Sequence, residues 1–158
     1  MILCLFGTNP YSFDRLVKKV DETIARGGDV FIQIGYTKYK PRNCKFTKFL
    51  EKTKLLEMIE SADIVITQGG YGSMMDSIQL NKRVIAVPRK IELNECLDDQ
   101  NELVQYLESK KYVAGCYDIE MLEVLVNRCM NNEVKFKKFI PESATLISVE
   151  IERYLNGG

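Results

Sequence analysis

The chain has 158 residues, which at about 150 residues per domain suits one domain whose core needs no disulfide or metal. Lys plus Arg and Asp plus Glu both number 22, and the zero net charge argues against a broadly basic nucleic-acid coat protein. There is no histidine, which removes Ser-His triads, Cys-His dyads and HExxH zinc chemistry from this chain.

Met1 to Phe6 is a continuous apolar run that stops at Gly7, and it predicts a buried strand. Ser12 can cap a helix on which Phe13, Leu16, Val17, Val20 and Ile24 recur at helical spacing until Gly27-Gly28. Val30 to Ile34 is a second strand, ended by Gly35. A polar loop runs from Tyr36 to Cys44, and Phe46 to Leu50 predicts a short strand. Thr53 can cap a helix through Ser61. Ile64 to Thr67 is the next strand, followed by the glycine-rich QGGYGS and a helix over about 73–80. Arg83 to Val87 is a strand ended by Pro88, and Arg89 to Leu97 a loop. Asp98 can cap a helix to about Lys111, and Tyr112 to Cys116 predicts a last strand. Asp118 caps a helix with Ile119, Leu122, Leu125, Val126 and Cys129 on one face. Pro141 suits the first turn of a final helix over about 141–155, a candidate partner-docking element.

This alternation of short apolar strands with helices predicts an α/β fold, a Rossmann-like parallel sheet flanked by helices on both faces, in a single domain over 1–158. Ligands of such sheets bind beyond the carboxyl ends of the strands, and Gly7, Gly35 and Gly69 all fall on that edge. The five cysteines (Cys4, Cys44, Cys96, Cys116 and Cys129) are scattered, with no CxxC pair. The six residues before Gly7 are too few for a signal sequence or a membrane span. We therefore expect a cytoplasmic protein with reduced thiols.

Charge is distributed unevenly along the chain. Between Thr37 and Lys54 there are seven basic residues and one acid, Glu51, while Glu92 to Glu102 has five acids and no base. Both can be solvated faces, and the basic stretch can also dock on phosphate or on a membrane surface.

Thr67 to Asp76, TQGGYGSMMD, joins a strand to a helix. Gly69, Gly70 and Gly72 allow close backbone approach, so the turn is either a phosphate-binding loop on a helix N-terminus or only a tight turn. Its spacing is neither GxGxxG nor a Walker A loop, and no Lys follows it. Ser73 and Asp76 have capping-box spacing; alternatively Asp76 accepts from ribose hydroxyls. Asp98 and Gln100 stand where a loop enters a helix and can hold sugar hydroxyls, or Asp98 is a plain cap.

The order of these segments resembles the C-terminal, donor-binding half of family 28 glycosyltransferases, to which MurG belongs. It resembles still more the separate PssE-like small subunit of two-component enzymes. The matching blocks are Gly7-Thr8 with Phe13-Asp14-Arg15-Leu16, Ile32 to Tyr36, Tyr39 to Cys44, Ala62 to Thr67, Gly69-Gly70 with Gly72-Ser73, Val87-Pro88-Arg89, and Asp98 with Gln100. The resemblance covers residues 1 to about 131 and implies a single half of the two-domain GT-B fold. It implies a UDP-sugar as substrate, with no cofactor and no metal, and an inverting displacement onto a lipid-linked acceptor. The implied donor-site residues are Gly7, Thr8, Gly35, Gln68, Gly69, Gly70, Gly72, Ser73, Asp76, Asp98, Asp99 and Gln100; no catalytic residue is assigned. The implied partner is a membrane-anchored, PssD-like acceptor-binding subunit that holds the chain at the inner face of the membrane.

The family's pattern carries histidine where this chain has Asn9, Gln68 and Asp99. Asn and Gln still donate hydrogen bonds, and Asp99 alone of the three can take up a proton. The alternative is a non-catalytic nucleotide-sugar-binding or scaffolding subunit. A GT-B cleft needs two Rossmann domains, so the partner is expected to complete it.

Overall fold

The computed structural model describes residues 1–141 and 144–155. Six strands, β1 (Ile2–Leu5), β2 (Val30–Gln33), β3 (Lys45–Thr47), β4 (Ile64–Gln68), β5 (Arg83–Val87) and β6 (Ala114–Gly115), form one sheet. Their order is β3-β2-β1-β4-β5-β6, and every pair is parallel. The apolar runs of β1 and β4 are buried along their whole length, because helices cover both faces of a parallel sheet.

Alternation along the strands divides the core. Cys4, Ile32, Ile66 and Ile85 face α1 (Asp14–Lys19) and α5 (Leu122–Met130). Leu3, Leu5 and Val65 face α2 (Lys52–Ser61). Val84 and Ala86 face α3 (Tyr71–Gln79), α4 (Asn101–Ser109) and α6 (Ala144–Leu155), whose Ile147 and Ile151 are buried there. The first helix continues through a wider π-helical stretch, Val20–Ile24, to Ala25–Gly27. A π-bulge of this kind inserts one residue per turn and turns Asp21 inward, where its carboxylate is buried.

The differences from the sequence reading lie at element ends. Neither Ser12, Thr53 nor Asp98 caps its helix: the residues preceding α1, α2 and α4 are Phe13, Glu51 and Gln100, none with a capping side chain. The Ser12 hydroxyl instead donates to Asp14 and accepts from the Lys38 N–H. Asp118 does cap, accepting from the Glu120 N–H ahead of a short 3₁₀ turn, Ile119–Met121, that leads into α5. Of the strand expected over 112–116 only Ala114–Gly115 pairs, since β6 is an edge strand with one neighbour. The edge strand β3 is likewise shifted, to Lys45–Thr47. The final helix is described from Ala144, and 142–143 lie outside the described residues.

Strand order reverses between β1 and β4: β2 and β3 extend one way from β1, β5 and β6 the other. The crevice beyond their carboxyl ends is the topological switch point, where open α/β sheets bind ligands.

Candidate functional site

Two glycines in the left-handed region end the central strands. Gly7 follows β1 with φ +67, and Gly35 follows β2 with φ +58. A Cβ on Gly35 would stand 2.6 Å from the Gly7 carbonyl oxygen, so the two turns touch backbone to backbone. Gln33, buried at the end of β2, locks them. Its Oε1 accepts from the Phe6 and Gly7 N–H groups, and its Nε2 donates to the Gly7 and Lys48 carbonyls. Its polar side chain inside the apolar run Val30–Ile34 is the sequence signal for this role.

Across the switch point, β4 ends at Gln68, and α3 starts at Tyr71 with Gly70 before it and no side-chain cap. The N–H groups of Tyr71, Gly72 and Ser73 therefore have no intrahelical partner, and the positive end of the helix dipole faces the crevice. The helix begins two residues earlier than the sequence reading, so Ser73 is its third residue and Ser73–Asp76 is not a capping box. A Cβ on Gly7 would come 2.5 Å from Gln68 Nε2, and one on Gly70 would come 3.0 Å from it. Gly7 is thus required by its positive φ and by the Gln68 amide, while a side chain at Gly70 would need that amide to give way by a few tenths of an ångström. Gly72 meets nothing within 4 Å and opens onto solvent.

Arg89, just past β5, organises this edge and was not singled out as a site residue from sequence. It is 1% exposed. Its guanidinium donates to Gln68 Oε1, to the Tyr11 and Glu95 carbonyls at 2.8 and 3.1 Å, and to the Phe6 carbonyl at 3.1 Å. It also lies 4.7 Å over the Phe13 ring. Burial pushes its pKa down to about 10 against the opposing pull of the Glu95 carboxylate, which leaves it charged at neutral pH. Because arginine only donates, it fixes the Gln68 amide with the oxygen inward and the NH₂ toward Gly7 and Gly70. Glu95, also buried, pairs with Arg15 at 3.0 Å and accepts from the Lys90 N–H. A lone arginine after Val87-Pro88 was the available signal, but only the fold shows that it reaches back to β1 and β4.

Gln100 ties the next loop to the same place. Its Oε1 accepts from Gly69 N–H at 3.0 Å and Arg89 N–H at 2.9 Å, and its Cβ lies 2.9 Å from where a Gly69 Cβ would stand. Gly7, Gly35, Gln68, Gly69, Gly70, Ser73 and Gln100 therefore form one contiguous set. Thr8 is exposed beside Gly7, and Asn9 Oδ1 is engaged by the Tyr11 N–H. Asp76 lies further along α3 and pairs with Lys52 of α2 at 2.5 Å. Asp98 and Asp99 are exposed before α4, where Asp99 accepts from the Asn101 N–H.

Two hollows flank this shelf. One, of about 340 Å³, is lined by Gly35, Tyr36, Thr37, Lys38, Lys40, Lys48 and Phe49. The other, of about 330 Å³, lies beyond β6 against Met121, Val124 and Leu125. Among the described residues no group of three or more Cys, Asp or Glu is placed to hold a metal, and no helix is long and apolar enough to cross a membrane. All five cysteines are free, and burial pushes the Cys44 and Cys116 thiols up to about 11, so neither is a thiolate nucleophile at neutral pH.

The glycosyltransferase family 28 C-terminal domain matches residues 1–150 of this chain. The UDP-N-acetylglucosamine transferase subunit ALG13 of Candida albicans is 29% identical over 120 residues, covering 75% of this chain and 38% of its own length. The chain thus spans well under half of that curated relative. Among solved structures, the solution structure of ALG13 superposes with a TM-score of 0.62 at 18% identity, covering 92% of this chain and 93% of its own. MurG of Acinetobacter baumannii superposes with a TM-score of 0.53 at 17% identity, over 83% of this chain and 42% of its own. The fold is that of one Rossmann-like half of a GT-B enzyme, and the chain belongs to the glycosyltransferase family 28 C-terminal domain family.

Proposed function

We propose that this chain is the donor-binding, catalytic-side subunit of a two-component glycosyltransferase that moves a sugar from a UDP-sugar to a lipid-linked acceptor. The observation that carries the reading is the uncapped start of α3 at the β1/β4 switch point, flanked by Gly7 and Gly70, against which Arg89 holds the Gln68 NH₂. Backbone N–H groups there can bind a diphosphate, and they stabilise it further as charge grows on the leaving group. The sequence match to the family and to a subunit named for UDP-N-acetylglucosamine transfer supports UDP as the nucleotide.

On this reading the diphosphate lies over Gly69–Gly70 and the first turn of α3. Asp76 takes the ribose hydroxyls when Lys52, whose side chain is 64% exposed, swings into solvent. Gln100, Asp98 and Asp99 face the donor sugar, and Thr8 and Gly35 border the acceptor side. The acceptor oxygen attacks the anomeric carbon from the face opposite UDP, inverting it, with no metal. Its proton passes to a base supplied by a PssD-like, membrane-anchored partner that completes the cleft and holds the chain at the cytoplasmic face. A second reading, nucleotide-sugar binding without chemistry of its own, is favoured by the missing histidines and by the engagement of Asn9 and Gln68 in internal bonds.

Calorimetric titration in EDTA with UDP, UDP-galactose, UDP-N-acetylglucosamine and UDP-glucuronic acid tests the proposal. Preference for one UDP-sugar is expected. Equal binding of NAD or ATP, or no UDP-sugar binding with or without the co-expressed partner, overturns it. Transfer by the reconstituted complex separates the first reading from the second.

A further inference from the structure

The neutral chain carries an uneven surface. Lys38, Lys40, Arg42, Lys45 and Lys48 have no carboxylate within ion-pairing distance among the described residues, whereas Lys52 and Lys54 are paired with Asp76 and Glu57. Three of the unpaired lysines, Lys38, Lys40 and Lys48, line the hollow of about 340 Å³ together with Tyr36 and Phe49. Those two rings stack edge to face at 5.2 Å and remain 56% and 43% exposed. Phe46, on the outer strand, is exposed too, with Lys40 Nζ 5.9 Å from its ring.

The loop that carries these groups is braced from below. Asp14 accepts from the Tyr39 N–H. The buried Asp21 carboxylate accepts from the Arg42 and Asn43 N–H groups and from the Tyr39 hydroxyl. Asp14 and Asp21 are thus engaged by the loop's backbone, and Glu22 and Glu51 are exposed near it, while its cations are exposed and, among the described residues, unpaired. Four exposed acids of 92–102, Glu92, Asp98, Asp99 and Glu102, lie beyond β5 on the far side of the switch point, whereas Glu95 is buried and paired. Across the carboxyl edge of the sheet the charge thus runs from basic at β3/β2 to acidic at β5.

We infer that this β2–β3 surface docks directly on an anionic phospholipid bilayer, independently of any partner. Clustered exposed cations draw the surface to lipid phosphates, and aromatic rings with one apolar body suit the headgroup boundary. The opposed charge across the edge orients the chain with the β3 side down, which sets the donor shelf beside the membrane surface. Rings paired edge to face in a hollow do not present the successive flat faces on which nucleotide bases stack, which favours lipid over nucleic acid. Such attachment is weak and reversible, as befits one of two anchoring signals.

Co-sedimentation of the full chain with phosphatidylcholine vesicles, with and without phosphatidylglycerol, tests this. Binding is expected only with phosphatidylglycerol, and falling as salt rises. The triple variant Lys38→Gln, Lys40→Gln, Lys48→Gln should partition about a hundredfold more weakly, at roughly fivefold per charge. A charge-matched control, Lys135→Gln, Lys137→Gln, Lys138→Gln, removes cations from the opposite edge, where Lys137 and Lys138 flank the start of β5, and should bind like the wild type. The inference is overturned by equal binding to both vesicle types, by no binding, or by equal loss in the two triple variants. Displacement by inorganic phosphate at constant ionic strength, or lysine-dependent binding of a single-stranded oligonucleotide in place of vesicles, also overturns it. No nucleotide enters the assay, so its outcome is separate from that of the donor-site reading.

Discussion

Single residues divide into those the fold needs and those the proposed donor would need. Gly72 opens onto solvent in the first turn of α3. Gly72→Ala should therefore stabilise the free chain by about 0.5–1 kcal/mol through helix propensity, yet weaken UDP-sugar binding by placing a methyl on the phosphate shelf. Paired thermal melts and titrations check both signs, and loss of stability in the free chain would show that the space is not open. Asp76→Ala should weaken UDP binding, whereas Asp14→Ala, whose carboxylate braces the Tyr39 loop, should not; equal effects by calorimetry would remove Asp76 from the ribose site. Asp21 gives a pH prediction. Burial works against its charge, but the Arg42 and Asn43 N–H groups and the Tyr39 hydroxyl outweigh it and hold the carboxyl below its ordinary value. The folded state thus binds the proton less tightly than the unfolded one. The stability this provides is present above the unfolded value of about 4 and is lost as pH falls through the folded value. Denaturation curves against pH should show this acid-side loss in the wild type and a smaller one in Asp21→Asn.

At the scale of elements, the carboxyl ends of β1, β4 and β5 are joined by side chains rather than by the sheet ladder. Arg89 reaches carbonyls after β1 and Gln68 at the end of β4, and Gln100 joins the loops after β4 and β5. Arg89→Met should cost about 3–5 kcal/mol, because it leaves Gln68 Oε1 and the Phe6, Tyr11 and Glu95 carbonyls without their buried donor. A urea denaturation showing less than 1 kcal/mol would mean that water replaces the guanidinium freely. Periodicity had indicated which segments are strands and which are helices, since burial on a pleated or helical face acts within a few residues. The helix starts were less legible. Ser12, Thr53 and Asp98 are all competent caps, but Ser12 is drawn instead to Asp14 and Lys38, groups the fold brings near.

For the whole molecule, a donor that binds only the folded chain must raise its melting temperature. At about a hundred times Kd the gain is about 2.7 kcal/mol, or roughly 5–10 °C for a chain of this size. A thermal shift with the preferred UDP-sugar, unchanged by added EDTA, is the expected result; no shift at saturation would contradict a site formed in the isolated chain. The alternation of apolar strands and amphipathic helices, the absence of histidine, the glycine-rich β4–α3 junction and the block of basic residues were all determined by the sequence alone. Each is a property of neighbouring residues or of composition. The tertiary structure decided which strand ends meet, that Gln68 is oriented by an arginine 21 residues away, and that Gln100 bridges two loops. It also decided that the basic block and the acidic block lie on opposite sides of the switch point. Those are long-range contacts, set by strand order and by the need to satisfy every buried polar group, and no local pattern encodes them.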